Sequence, residues 1–315
     1  MKALGKSAVL FIAIGLAIYG AVYYAAERLM LSTGRSNAFF KIANAREREF
    51  DWVILGASHA MPLAFADFNA GMERETGLKI LDLAAPGAGP LYNRFVLEHF
   101  LREHRARNVL YVADSFAFYS RTWNEDRFAD AKLLRRTPFE SAIASSLCAY
   151  ARHDGVDPRA VLDYVSGFSK INNRERFQRD VWEGEEQFER VYRPSTTAVA
   201  KRIAYLYPNK TSPEARARYL EIFASLVDLA QRNGATVIVI KMPVPPPFRD
   251  QLPDETAFDE ALSRLLTARN VEYRDFSAAV PESRDYFDTD HLNRAGLTEF
   301  FARDLRPLLE RHAGG

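Results

Sequence analysis

A single cysteine, Cys148, occurs in 315 residues. An intrachain disulfide is therefore excluded, and with it a small disulfide-stapled scaffold; the redox compartment stays open. An excess of charge is also missing. The chain has 42 basic and 41 acidic side chains, a formal net charge of +1, which gives no electrostatic footprint for a nucleic-acid partner. No internal repeat or low-complexity tract occurs. No Gly-x-x-x-x-Gly-Lys-Ser/Thr pattern follows any expected strand, which argues against a nucleotide-binding module. A cluster of Asp288, Asp290, His291 and His59 would offer metal-ligand chemistry, but it lacks paired-histidine spacing. No metal and no cofactor is expected. What remains is an ordinary globular composition, 48% hydrophobic and 26% charged, long enough to bury a substantial core.

Charge is absent from one further place. Residues 8–26 carry none, and as a helix they reach roughly 28 Å, close to the thickness of a bilayer's hydrocarbon core. Tyr19, Tyr23 and Tyr24 sit toward the end of this run, where amphipathic rings favour an interface. Lys2 and Lys6 precede it, which favours a cytoplasmic N-terminus and a domain outside. A buried core helix and a cleaved signal peptide are the rivals; the run exceeds the usual 7–15-residue apolar region of a signal peptide. The expected organisation is a transmembrane anchor over 1–30, a juxtamembrane linker over 31–50 and an α/β domain over 51–311.

From residue 51 strands alternate with helices. Strands are expected at 52–55, 79–83, 108–113, 235–241 and 271–275. Helices are expected at 63–76, from Pro90 toward Arg105, from Ser212 to Gly234, at 255–269 and from about Arg294 to Glu310. The run Val237–Ile240 suits a strand buried on both faces. Such alternation predicts a flavodoxin-like three-layer α/β/α fold with a five-stranded parallel sheet of order 2-1-3-4-5. Residues 116–211 break the pattern after the third strand. They are rich in aromatics and in charges of both signs, and are expected to form a mostly helical insertion, either a lid or acceptor surface or a packed subdomain.

The chemistry centres on Gly56-Ala-Ser58-His59. A serine in a glycine turn after a strand presents its hydroxyl at the carboxyl edge of the sheet, where open α/β sheets bind ligands. Asp288-Thr-Asp-His291 supplies a base: an aspartate three residues before a histidine can fold back onto one ring nitrogen and leave the other free to take a serine proton. Asp290 competes with Asp288 for that role. The loop Ala85-Pro-Gly-Ala-Gly89 offers backbone N–H donors for an oxyanion. His59, which follows the serine, reads as a surface residue at a helix start or as a site residue. Lys241, at a strand end, reads as a solvated or ion-paired cation.

These three blocks resemble the SGNH, or GDSL-like, hydrolase superfamily, over residues 51–115 and 212–311. The resemblance implies Ser58 as nucleophile, His291 as base, Asp288 as its orienting acid, and an oxyanion hole from Ser58 and Gly87. One block departs. Where the family carries Gly-x-Asn-Asp, this chain has Val112-Ala-Asp114-Ser115, and an ionised aspartate only accepts hydrogen bonds. Asp114 is therefore expected near the site without the asparagine's role, and Asn93 is a candidate substitute donor. The anchor, the insertion and the loose third block look like the membrane-anchored proteins of D-alanyl-lipoteichoic acid transfer and the alginate O-acetyltransferases. Such a likeness implies an acyl-ester transferase or esterase acting on an acylated envelope carbohydrate or polymer, outside a bacterial inner membrane, beside a multi-span membrane acyltransferase. A non-catalytic anchored subunit that binds such a polymer or acyltransferase is the alternative.

Overall fold

The computed structural model describes residues 2–33, 37–130, 133, 137–174 and 182–313. Among these, five strands form one wholly parallel sheet: β1 (Glu49–Gly56), β2 (Ile80–Asp82), β3 (Arg105–Val112), β4 (Thr236–Lys241) and β5 (Glu272–Asp275), in the order β2-β1-β3-β4-β5. Trp52 pairs with Ile80 on one side and Asn108 on the other, and Val109 pairs with Val237. This is the expected sheet in the expected order.

Alternation within the strands divides the core in two. Val53, Leu55, Val109, Tyr111, Val237 and Val239 face one layer of helices. There they meet Phe95 and Val96 of helix Pro90–Glu103, Phe223 and Val227 of helix Pro213–Arg232, and Phe258 and Leu262 of helix Glu255–Thr267. Trp52, Ile54, Leu110, Val112, Ile238 and Ile240 face the other layer, against Met72, Leu297, Phe300 and Leu309. Both faces are covered, so the central strands read as unbroken apolar runs. Each large side chain buried this way contributes roughly 1.5–3 kcal/mol.

Three local departures have plain causes. Residues 61–67 form a 3-10 segment, so the helix expected from 63 begins at Phe68, after Ala66 and Asp67 adopt positive φ. The last helix is interrupted by a π-turn at Phe301–Leu305, between Arg294–Phe300 and Arg306–Ala313. The insertion contains the helices Ser141–His153, Pro158–Ser166 and Thr196–Leu206 with shorter turns between them; parts of it (131, 132, 134–136 and 175–181) lie outside the described residues. It straddles the carboxyl edge of the sheet. Phe128, Ile143, Leu147 and Tyr150 join one core layer, and Phe188 joins the other.

Helix Lys2–Thr33 is exposed over its first half and packs against the insertion over its second. Its segment Gly5–Leu31 is long and apolar enough to cross a membrane.

Candidate active site

β1 delivers the central serine. Gly56 ends the strand at φ +150°, and a Cβ there would lie 2.9 Å from Val112 Cβ and 3.0 Å from Val112 O. A side chain is excluded on both counts, so the chain turns tightly beside β3 and sets Ser58 just beyond the sheet edge. The carbonyl of Ser58 accepts from Met61 N–H at 3.3 Å, which closes the turn.

Ser58 and His291 line one cavity of about 400 Å³. Gly87 lines it too, together with Trp123, Trp182 and Tyr205 of the insertion. Gly87 has φ +61°, and a Cβ would lie 2.6 Å from the Trp123 ring. Glycine here satisfies both the left-handed backbone and the close approach of the indole. Trp123 is fixed in turn by its Nε1–H, which donates to Leu206 O at 2.8 Å.

His291 is firmly held. Asp288 accepts from the backbone N–H groups of His291 (2.8 Å) and Asp290 (3.0 Å), and both its oxygens lie 2.9 Å from His291 Nδ1. The carboxylate fixes the loop and the ring together. Phe287 stacks on the imidazole at 5.4 Å and 7°, and Trp182 meets it edge-on at 5.3 Å. His291 Nε2 is buried and has no hydrogen-bond partner. It is not bonded to Ser58 Oγ, although Ser58 and His291 line the same cavity; catalytic hydrogen bonds often close only when substrate is bound.

His59 is buried, not a surface residue. Its Nδ1 lies 2.6 Å from Asp114 Oδ1 and its Nε2 3.2 Å from Asp290 Oδ2. Burial works against the imidazolium, but Asp114 and Asp290 outweigh it and raise the pKa to about 10. Asp290 is completely buried, and Arg202 Nε donates to its Oδ1 at 3.1 Å and to its Oδ2 at 2.9 Å. Burial would push this carboxyl up; His291, Arg202 and His59 hold it well below the carboxylate range. Asp290 is therefore engaged by Arg202 and His59, while Asp288 orients His291. No signal in the sequence singled out Arg202, an ordinary-looking cation on an insertion helix.

Asp114 and His59 line a second cavity, of about 210 Å³, with Ser115, Lys241, Phe248 and Glu255. Asp114 does not line the Ser58 cavity, so the departing third block supplies no oxyanion donor there. Nor does Asn93. Its Nδ2 donates to the carbonyls of Ala88 (2.9 Å) and Gly89 (3.0 Å), and its Oδ1 accepts from Gly56 N–H (3.1 Å). Asn93 is a buried strut between the serine turn and the glycine loop. Lys241 is buried and paired with Glu255 and Asp259 rather than solvated.

His59, Asp290 and His291 offer ligand atoms within 4.8 Å of one another. Every carboxylate around them is already matched: Asp114 to His59, Asp288 to His291 Nδ1, and Asp290 to Arg202. A cation at this point would sit beside a guanidinium and an imidazolium, and Coulomb repulsion opposes it. The cluster reads as an ion-pair network.

The fold defines the chain as a flavodoxin-like α/β/α protein with an insertion after β3. No protein-family model and no curated protein matches the sequence. Among solved structures, it is similar to a presumed acylhydrolase from Bacteroides fragilis, at 9% identity and a TM-score of 0.46, covering 87% of this chain and 95% of the other. It is similar also to a GDSL-like lipase from Bacteroides thetaiotaomicron, at 9% identity and a TM-score of 0.45, covering 89% and 98%.

Proposed function

We propose that the chain is an SGNH-type serine esterase or O-acyltransferase, tethered to a membrane by its N-terminal helix. The observation that carries this reading is the clamp of Asp288 on His291 Nδ1, with Nε2 left unpartnered and His291 lining the same cavity as Ser58.

In this mechanism His291 Nε2 takes the proton of Ser58 Oγ as the oxygen attacks the carbonyl carbon of an acyl ester. The π electrons move onto the carbonyl oxygen, which the backbone N–H groups of Ser58 and Gly87 receive. Collapse of the tetrahedral species breaks the ester C–O bond, and His291 returns its proton to the leaving alkoxide. The acyl group is then on Ser58. Water or a carbohydrate hydroxyl repeats the sequence in reverse, with His291 again as base. Asp288 keeps the imidazole in one tautomer and stabilises its protonated form.

The acceptor reading, an envelope carbohydrate or polymer on the outer face of an inner membrane, draws support from the aromatic walls of Trp123, Trp182 and Tyr205 and from the apolar helix. A fluorophosphonate should label Ser58 in the full-length protein. Ser58→Ala should abolish the label and His291→Ala should slow it severely. Undiminished labelling of Ser58→Ala would overturn the mechanism.

A further inference from the structure

The N-terminal helix does not stand free along its whole length. Tyr19 Oη donates to Ser166 O at 2.8 Å, and Tyr23 meets Phe139 edge-on at 6.4 Å. Tyr23 also packs against Gly167, where a Cβ would collide with its ring. Glu27 pairs with Lys170 and accepts from Phe139 N–H at 2.7 Å. The insertion therefore grips the helix from residue 19 onward.

Length now matters. The part of Gly5–Leu31 that precedes this grip runs from residue 5 to 18. At 1.5 Å per residue it spans roughly 21 Å, short of the roughly 30 Å of a bilayer's hydrocarbon core. A membrane around this helix must reach past Tyr19 to about residue 24. Ser166 and Gly167, in contact with Tyr19 and Tyr23, then lie at or below the headgroup boundary, and the surface beside them must suit lipid.

It does. Outside the N-terminal helix, six large apolar side chains are prominently exposed among the described residues: Phe139, Leu162, Val165, Phe168, Val191 and Tyr205. Four of the six belong to the elements that grip the helix. Leu162 is 70% exposed, Val165 50% and Phe168 62%. Helix Pro158–Ser166 turns Ala160 and Tyr164 inward and Leu162 and Val165 outward. This is the pattern of a helix lying in an interface.

We infer that residues 158–168, with Phe139, form a second membrane contact that seats the insertion in the outer-leaflet boundary beside the N-terminal helix. The occupant of this surface is lipid, because the patch is continuous with the lipid-exposed flank of that helix. The inference rests on the reading that the helix spans a membrane. Its consequence is a fixed tilt: one helix permits swivelling, and two contacts hold the cavity at a set height and angle to the bilayer.

The test uses the full chain with Cys148→Ser, reconstituted into phosphatidylethanolamine/phosphatidylglycerol vesicles. Single cysteines are placed at Leu10, Leu162, Val165, Phe168 and, as a polar control, Arg264; each is labelled with bimane. Spin-labelled lipids carrying the nitroxide near the headgroup should quench 162, 165 and 168 at least 2-fold more than 264, while deep-chain nitroxides should quench 10 most. Quenching at 10 but not at 162, 165 and 168 would overturn the membrane contact and leave the spanning helix intact. No quenching at 10 would overturn both. A photo-crosslinking residue at Val165 in cells should yield lipid adducts; a discrete heavier protein adduct would assign the patch to a protein partner and overturn the inference.

Discussion

His59 Nδ1 lies 2.6 Å from Asp114 Oδ1, with both side chains buried. The pair joins the residue after the serine to the end of β3, and Asp290 extends it to the loop of the base. Asp114 is thus half of an ion pair. The His59 pKa is raised from 6.5 to about 10. A raised folded-state value gives stability that is fully present below about pH 6.5 and is lost as pH climbs through 10. Thermal unfolding should therefore show a melting temperature falling between pH 6.5 and 10. His59→Gln should flatten that slope and lower stability chiefly at its neutral end.

Asp82 should behave in the opposite sense. It is buried at the end of β2, and burial raises its pKa from 3.8 to about 6 despite Lys41. The folded chain then holds an extra proton between about pH 4 and 6, so stability declines as pH rises through that window. Asp82→Asn keeps an acceptor for Ala84 N–H and removes the buried charge. The variant should be more stable than the parent at pH 7.5, by up to about 3 kcal/mol, and equal to it near pH 4. Chemical denaturation at the two pH values checks both halves.

Asp288 and Asp290 are separable by experiment. Asp288→Asn keeps a side-chain acceptor for the backbone N–H groups of Asp290 and His291 but loses the charge opposite Nδ1. Fluorophosphonate labelling should slow roughly 10²–10⁴-fold with little change in melting temperature. Arg202→Ala instead leaves Asp290 buried with only the Thr289 hydroxyl, at 2.5 Å, and the histidines beside it, and should cost about 3 kcal/mol of stability. Equal loss of labelling and stability in both variants would contradict this division.

Gly87→Ala meets three obstacles, a positive φ, the Trp123 ring and Arg127 Nη1 at 2.8 Å. Together they should cost about 1–3 kcal/mol and displace the loop. Adding Trp123→Ala removes the ring clash but not the backbone strain. Because Trp123 is itself buried, its truncation alone should cost about 3–5 kcal/mol; the double variant should lose less stability than the sum of the two single variants and recover little of the labelling rate.

The sheet was legible because its information is local. Val237–Ile240 and Trp52–Leu55 are apolar runs bounded by glycine, proline and charge, and a strand between helices has few alternatives. The Asp288–His291 spacing is legible for the same reason, since both ends of the contact lie within four residues. The sequence leaves His59 between a surface and a site position because its burial depends on Asp114 and Asp290, distant in sequence. Asn93 was misread because a side-chain amide looks the same whether it faces a substrate or two backbone carbonyls. Arg202 was invisible, for nothing in Ala-Lys-Arg-Ile distinguishes an arginine aimed inward.

The stacking of Phe287 on His291 closes a loop that follows β5, while Ser58 follows β1. On the proposed mechanism the two halves of the chemistry therefore bracket the synthesis of the whole domain. A ribosome delivers the serine early and its base only after the sheet's outermost strand has been made. Until then, on that mechanism, Ser58 lacks its base.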